Sequence, residues 1–564
     1  MNSQLKSTYQ KITMLSFFMT LLLPIVAYLV VINDSFIYSF VYLFARVFLL
    51  IFVFLLLNSV FCFRTTAYIM CFTIFLTVPI EFIHIIFFNS YITQAGLKSM
   101  LNTNVNEGIG FLRGYEWLAI LFLGLFIFYI LSFWKLPKRE KFKLLNRKNL
   151  IFLSLTNFSS IFFFFIQVKI TKNDYESGKK LTGTPVVFST KYFIRMDITK
   201  MYPFNILYRS YEIFVNNNSL KSYKKNVEKF TFNGYQTSYF EEEQIYVLII
   251  GESARASNYQ IFGYNRENNP ILMNMNNLII FPDFYSTANL TTYAVPLIIT
   301  RATAQNFDIT FKEKSIITLF KEAGFQTYWI CNQEIFEGLG AKKYKYEIEN
   351  FYYTQGYDES VIPIIDEIIK NKENKKKFIV VNLLGNHYGV SVVPEKFHLY
   401  VPNIDVKKLV NRIAKNRELF INSYDNSVLY QDYVLSEIIN LINSSNSISY
   451  VYFSSDHGES LFDEPDFFYG HGASKITKEQ IHIPVFLWYS PLFEKYNGEI
   501  IRNTQINKNK KLSHDFTFYT LAQLASINFD KFDANMSFAD STFISPEIRY
   551  VLKDENSYEP VEFN

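Results

Sequence analysis

Apolar residues crowd the first third of the 564-residue chain in long unbroken runs, whereas the remainder carries only short ones. Five runs are long enough to cross a bilayer about 30 Å thick, which takes roughly 20 helical residues. They are Met14 to Ile32, Tyr38 to Phe63, Ala67 to Phe88, Trp117 to Phe133 and Leu150 to Val168. The pattern predicts a transmembrane domain of five helices over residues 1–168. No small-residue cleavage site separates the first run from the second, so it is expected to remain as a span and not to leave as a signal peptide. Residues 169–236 turn mixed and Tyr-rich, a composition that suits a linker of amphipathic helices at a membrane interface. From 237 to 564, short apolar runs alternate with helical stretches: Ile245 to Ile250, Leu278 to Phe281, Gln326 to Ile330, Phe378 to Leu384, Tyr450 to Phe453 and Ile483 to Trp488. Such alternation predicts a mostly parallel sheet covered by helices on both faces. The Lys-Asn run Lys370 to Lys377 reads as a solvated loop ahead of a strand.

Charge orients this layout. Lys135 to Lys148 holds seven basic residues against Glu140, a local net of +6, and the positive-inside rule makes that loop cytoplasmic. Counting spans from it puts the N-terminus inside and everything after Val168 outside, so the C-terminal domain is expected to be extracytoplasmic. The whole chain is only +4. The basic balance therefore reports topology and leaves no surface for nucleic acid. Cys62 and Cys71 fall in or beside spans and Cys331 is alone in the outer domain, which excludes a disulfide there. Cys331 reads as a small buried residue.

The candidate chemistry lies at strand ends. The run Tyr450 to Phe453 leads into Ser455-Asp456-His457-Gly458-Glu459, and Ile245 to Ile250 leads into Gly251-Glu252-Ser253. Two strand termini thus offer carboxylates and an imidazole that can share one divalent ion. Four of the seven histidines (His387, His457, His471 and His482) sit near strand ends or between glycines, as expected of a built site. Asn289 to Pro296 forms a hydroxyl-rich turn into an apolar helix, whose N-terminus suits a phosphoryl group. Thr291 or Thr292 there is either a helix cap or a nucleophile.

In combination these residues resemble a family. Gly251-Glu252-Ser253-Ala254-Arg255, Gly263-Tyr264-Asn265-Arg266, the threonine turn, Cys331-Asn332-Gln333, Gly385-Asn386-His387, Ser455 to Leu461, Gly470-His471-Gly472 and His482-Ile483-Pro484 follow in the order seen in membrane phosphoethanolamine transferases. Those enzymes belong to the alkaline phosphatase and sulfatase superfamily. The resemblance implies an extracytoplasmic α/β domain of alkaline phosphatase/sulfatase type behind the helical bundle. It implies a zinc ion on Glu252, Asp456 and His457, with Thr291 as fourth ligand and nucleophile. Counting back from Pro296 favours Thr291 over Thr292. By the same resemblance, His387 and His471 handle the phosphoryl group or the leaving and entering oxygens, and Asn332, Gln333, Thr103 and Glu107 face substrate. The implied donor is phosphatidylethanolamine, and the implied acceptor is lipid A phosphate, a lipopolysaccharide core sugar or another surface glycan. The chain is expected to work as a monomer among membrane lipids. A glycerol-phosphate transferase or a phosphodiesterase on the same fold is the alternative, while a sulfatase would need a Cys or Ser formylglycine motif that the turn lacks. Relatives that modify lipid A place cysteines around the nucleophile turn, where this chain has Thr287 and Leu297, so rigidity there must come from packing. A basic residue expected after Asn332-Gln333 is replaced by Glu334-Ile335-Phe336-Glu337.

Overall fold

The computed structural model describes parts of residues 17–27 and 91–100, and then residues 36–88, 116–134, 147–182, 202, 204–333, 342–386 (except 355), 393–404, 414–463, 468–472, 476–554 and 557–561. The chain divides into two compact units, Met1–Lys98 with Phe111–Val215 and Ser99–Gly110 with Asn216–Asn564.

The first unit is helical. Its helices are α1 (Phe36–Val60), α2 (Phe63–Phe88), α3 (Glu116–Phe133) and α4 (Arg147–Thr182). α1 packs along α4 and α2 along α3. Aromatic side chains fill the interior: Phe17 meets Tyr129 and Phe133 edge-on, at 5.4 and 5.1 Å between ring centroids. Outward faces are equally apolar, with Ile120, Leu131 and Phe158 each about two-thirds exposed, which suits lipid contact. Among the described residues three helical stretches are long and apolar enough to cross a membrane: Phe40–Val60, Phe63–Phe82 and Lys148–Ile166. The expected fourth span corresponds to a shorter apolar stretch, Ile120–Phe133. Most of the expected first span, and the basic loop up to Asn146, lie outside the described residues. A further helix, α5 (Phe204–Asn226), follows. Asn205 near its start is buried, and its amide donates to the Glu81 carboxylate of α2.

In the second unit seven strands form one sheet: β1 (Gln244–Gly251), β2 (Leu278–Ile280), β3 (Gln326–Cys331), β4 (Asn350–Tyr353), β5 (Lys376–Asn382), β6 (Ile448–Ser455) and β7 (Val485–Tyr489). Their order is β2-β7-β6-β1-β5-β3-β4. β7 runs antiparallel to both its neighbours and all other pairs are parallel. Every side chain of β1 and β6 is buried, because helices cover both faces. One face packs on α6 (Thr291–Ile299) through Val295 and Ile298, and the other on α7 (Arg417–Ser444) through Val428 and Leu435.

All six expected strands are present. The edge strand β4, Asn-Phe-Tyr-Tyr, is not among them; it is four residues long, has one neighbour and is largely half-exposed. The loop expected over Lys370 to Lys377 is corrected at its end. Lys376 and Lys377 open β5, and Lys377 is buried because its ammonium pairs with Glu243.

Candidate metal centre

Parallel pairing of β1 with β6 sets Gly251 opposite Ser455, so the residues that follow, Glu252 and Asp456, emerge side by side. Gly251 permits the close approach: a Cβ there would lie 2.9 Å from the Phe453 ring. Asp456 N donates to Gly251 O at 3.0 Å, which stitches the two strand ends together. Beyond Glu252 the chain kinks at Ser253, whose φ of +56° is a left-handed conformation costing a non-glycine residue about 1–3 kcal/mol. Tyr424 of α7 clamps the kink from both sides. Its hydroxyl donates to Ser253 O and accepts from Arg255 N, both at 2.8 Å. The Ser253 hydroxyl in turn donates to Glu252 Oε1 at 3.0 Å.

Thr291 is the first residue of α6, with Leu290 as its N-cap, so its hydroxyl is not used in capping. Thr291 Oγ1 lies 3.2 and 3.1 Å from the two Glu252 oxygens and 3.1 Å from His457 Nε2. Thr291 is therefore the threonine that meets the carboxylate and the imidazole. The turn before it is held without cysteines. Asn289 Nδ2 donates to Gln480 Oε1 at 2.9 Å, Thr287 O accepts from Leu552 N at 2.7 Å, and Gly458 N donates to Gln480 O at 2.8 Å.

His457 Nδ1 is 2.9 Å from Gly458 O, which places the ring proton on Nδ1 and leaves the Nε2 lone pair facing Glu252 Oε1 at 3.4 Å and Asp456 Oδ2 at 3.3 Å. Burial, reinforced by the nearby His471 charge, pushes the His457 imidazole down to about 4, so it is neutral and able to coordinate. Burial also disfavours the imidazolium of His471, but Glu459 overrides it. Its Oε2 sits 3.1 Å from His471 Nδ1, and the pair holds His471 up to about 9. The rings of His457 and His471 are 4.2 Å apart. Desolvation, followed by the charge of Asp456, raises Glu252 to about 7, and desolvation raises Asp456 to about 6.

These residues fit a divalent metal ion. Ligand atoms of Glu252, His457 and His471 lie within 4.8 Å of one another. Asp456 Oδ2 is buried without a hydrogen bond beside a neutral nitrogen lone pair. That oxygen and the His457 Nε2 lone pair face each other at 3.3 Å with no proton between them, a shortage that a cation would fill.

The remaining expected residues separate. Gln333 points at the cluster, donating from Nε2 to Glu252 Oε2 at 3.0 Å and to Leu383 O at 3.1 Å. Asn332 turns away: it is buried, and its Nδ2 donates to Asp358 Oδ1 at 2.8 Å. Thr103, Glu107 and His387 lie outside the described residues, as does Glu334 to Glu337. Cys331 is buried and desolvation pushes its thiol up to about 11. Glu459 and Tyr424 had no assigned role in the sequence reading. Only the position of Glu459, just past Asp456-His457, hinted at one.

A family model described as sulfatase matches residues 244–527, half of the chain. The phosphoethanolamine transferase EptC of Escherichia coli is 28% identical over 319 residues, 54% of this chain and 54% of that one. The chain spans about half the length of its curated Escherichia coli relatives. The C-terminal periplasmic domain of that EptC, solved in complex with zinc, is 25% identical with a TM-score of 0.53, over 58% of this chain and 95% of that one. The integral membrane lipooligosaccharide phosphoethanolamine transferase A of Neisseria meningitidis shares the fold, with a TM-score of 0.72 at 20% identity over 93% of this chain and 97% of that one.

Proposed function

Since the chain belongs to the sulfatase family of the alkaline phosphatase superfamily, we propose that it is a phosphoethanolamine transferase anchored in a bacterial inner membrane, with its catalytic domain in the periplasm. It takes phosphoethanolamine from phosphatidylethanolamine and passes it to an envelope lipid or glycan, either lipid A phosphate or a sugar of the lipopolysaccharide core. The observation that carries this reading is the meeting of Thr291 Oγ1 with both Glu252 oxygens and His457 Nε2 at 3.1–3.2 Å. A threonine at a helix start, among side chains able to hold a metal, supports a role as nucleophile toward phosphorus. The names of the similar proteins support the group transferred.

Glu252, Thr291, Asp456 and His457 would hold zinc, which supplies a lowered hydroxyl pKa and offsets negative charge in phosphoryl transfer. Thr291 Oγ attacks the donor phosphorus, a P–O bond forms to Thr291, and the P–O bond to the glycerol carbon chain breaks. Diacylglycerol departs with a proton, for which the protonated His471, held charged by Glu459, is the donor. The acceptor oxygen then attacks the phosphothreonine ester and passes its proton to His471, while Thr291 leaves and takes back the proton it had given to the Glu252 carboxylate on attack. Thr291 stands at the N-terminus of α6, the positive end of the helix dipole, which favours a phosphoryl group.

Diacylglycerol release by the detergent-purified protein, offered phosphatidylethanolamine or phosphatidylglycerol, tests the reading. Release from phosphatidylethanolamine alone is expected. Release from phosphatidylglycerol alone would move the chain to the glycerol-phosphate transferases.

A further inference from the structure

Asp358 is a buried carboxylate that the proposed chemistry does not use. It follows the edge strand β4 and is 4% exposed. Its two oxygens collect three N–H donors from two other strand ends. Oδ1 accepts from Asn332 Nδ2 past β3 and from Leu384 N past β5, both at 2.8 Å, and Oδ2 accepts from Gly385 N at 2.9 Å. Asn332 is fixed further by Nδ2 on Gly356 O at 3.2 Å and by Thr354 Oγ1, which donates to its Oδ1 at 2.8 Å. Ends of parallel strands diverge at the carboxyl edge of a sheet, so these three segments need a tie to stay in register there. A carboxylate with several N–H partners is a strong tie, because charge shortens and strengthens each bond.

Both tied segments end on Glu252. From the Asn332 side, Gln333 Nε2 donates to Glu252 Oε2 at 3.0 Å and to Leu383 O at 3.1 Å. From the Gly385 side, Asn386 N donates to Glu252 O at 2.9 Å. Gly385 itself lies so close that a Cβ there would sit 2.8 Å from Glu252 N and O, and its φ is +58°. Glu252 is thus gripped at a side-chain oxygen by one segment and at its backbone by the other. Asp358 is bonded to both segments.

We infer that Asp358 is a positioning residue of the metal centre. It sets the spacing of the β3 and β5 ends and through them the direction in which the Glu252 carboxylate faces His457 and Asp456. It contacts neither metal nor substrate. The inference rests on the reading of Glu252 as a zinc ligand.

The test is zinc affinity, measured by chelator competition on the full-length protein in detergent, together with the melting midpoint of the metal-free form. Asp358→Asn keeps one acceptor oxygen and turns an amide N–H against Gly385 N–H. Loss of such outer support typically weakens metal binding about 10–100-fold, and that loss is expected here. Asn332→Ala, which breaks the same tie from its other end without touching Glu252, is expected to weaken zinc comparably, so it carries the test if Asp358→Asn fails to fold. A brace that served stability alone would lower the metal-free midpoint and leave zinc affinity at the wild-type value in both variants, and that result overturns the inference. A wild-type protein that binds no zinc overturns the zinc reading, and this inference with it.

Discussion

Tyr424→Phe removes a single oxygen, yet it should be felt throughout the metal centre. That oxygen bonds Ser253 O and Arg255 N at 2.8 Å each, on either side of the left-handed kink that directs Glu252 inward. Ser253 and Arg255 are both buried, so water cannot replace the lost partner. Stranding a buried backbone group costs about 1–3 kcal/mol, and two such groups at the lower middle of that range give about 3 kcal/mol. The ring itself stays packed beside Val428 and Leu461, so no cavity adds to the loss. With unfolding entropy near 2.1 cal/mol/K per residue, a unit of roughly 350 residues has about 0.7 kcal/mol/K, and the melting midpoint should fall by about 4 °C. Differential scanning calorimetry or tryptophan fluorescence on purified wild type and variant measures this directly. A midpoint within about 1 °C of wild type would mean that the hydroxyl does not hold the kink.

Glu252→Ala and Asp456→Ala are each expected to abolish transfer and stoichiometric zinc while leaving membrane insertion intact; turnover retained by either variant would refute the metal assignment. Asp432 offers a pH test away from the site. Its oxygens accept from Ile271 N and Leu272 N at 2.9 and 3.0 Å, and burial raises it from 3.8 to about 6. A carboxyl that resists ionisation in the fold stabilises it below pH 3.8, and that contribution is lost as pH rises through 6. The loss amounts to about 3 kcal/mol by linkage. Urea unfolding across that window should show a shallower pH dependence in Asp432→Asn, and an unchanged slope would exclude the assignment.

Whatever depends on neighbours in sequence could be read from it. β1 and β6 announce themselves because strands buried on both faces carry continuous apolar runs, Ile245 to Ile250 and Tyr450 to Phe453, and the carboxylates soon after them inherit that clarity. Thr291 could be narrowed to two positions, but the choice over Thr292 needs the helix start to be fixed to a single residue. The supports were hidden for a different reason. Tyr424, Asp358 and Gln480 act on partners 26 to 191 residues away, so no local pattern records them. Asn332 and Gln333 illustrate the limit well: adjacent in one motif, they face opposite ways, one bracing Asp358 and the other touching Glu252. Lys377 read as solvated because a lysine run is normally so, and its burial requires Glu243, far along the chain.

The central claim is that Thr291 carries phosphoethanolamine during the reaction. Purified protein would be incubated with phosphatidylethanolamine without acceptor and quenched, and the peptide containing Asn289 to Leu297 analysed by mass spectrometry. A phosphoethanolamine adduct on Thr291, absent in Thr291→Ala and matched by released diacylglycerol, is the expected result. Diacylglycerol release without an adduct on that peptide would contradict the account.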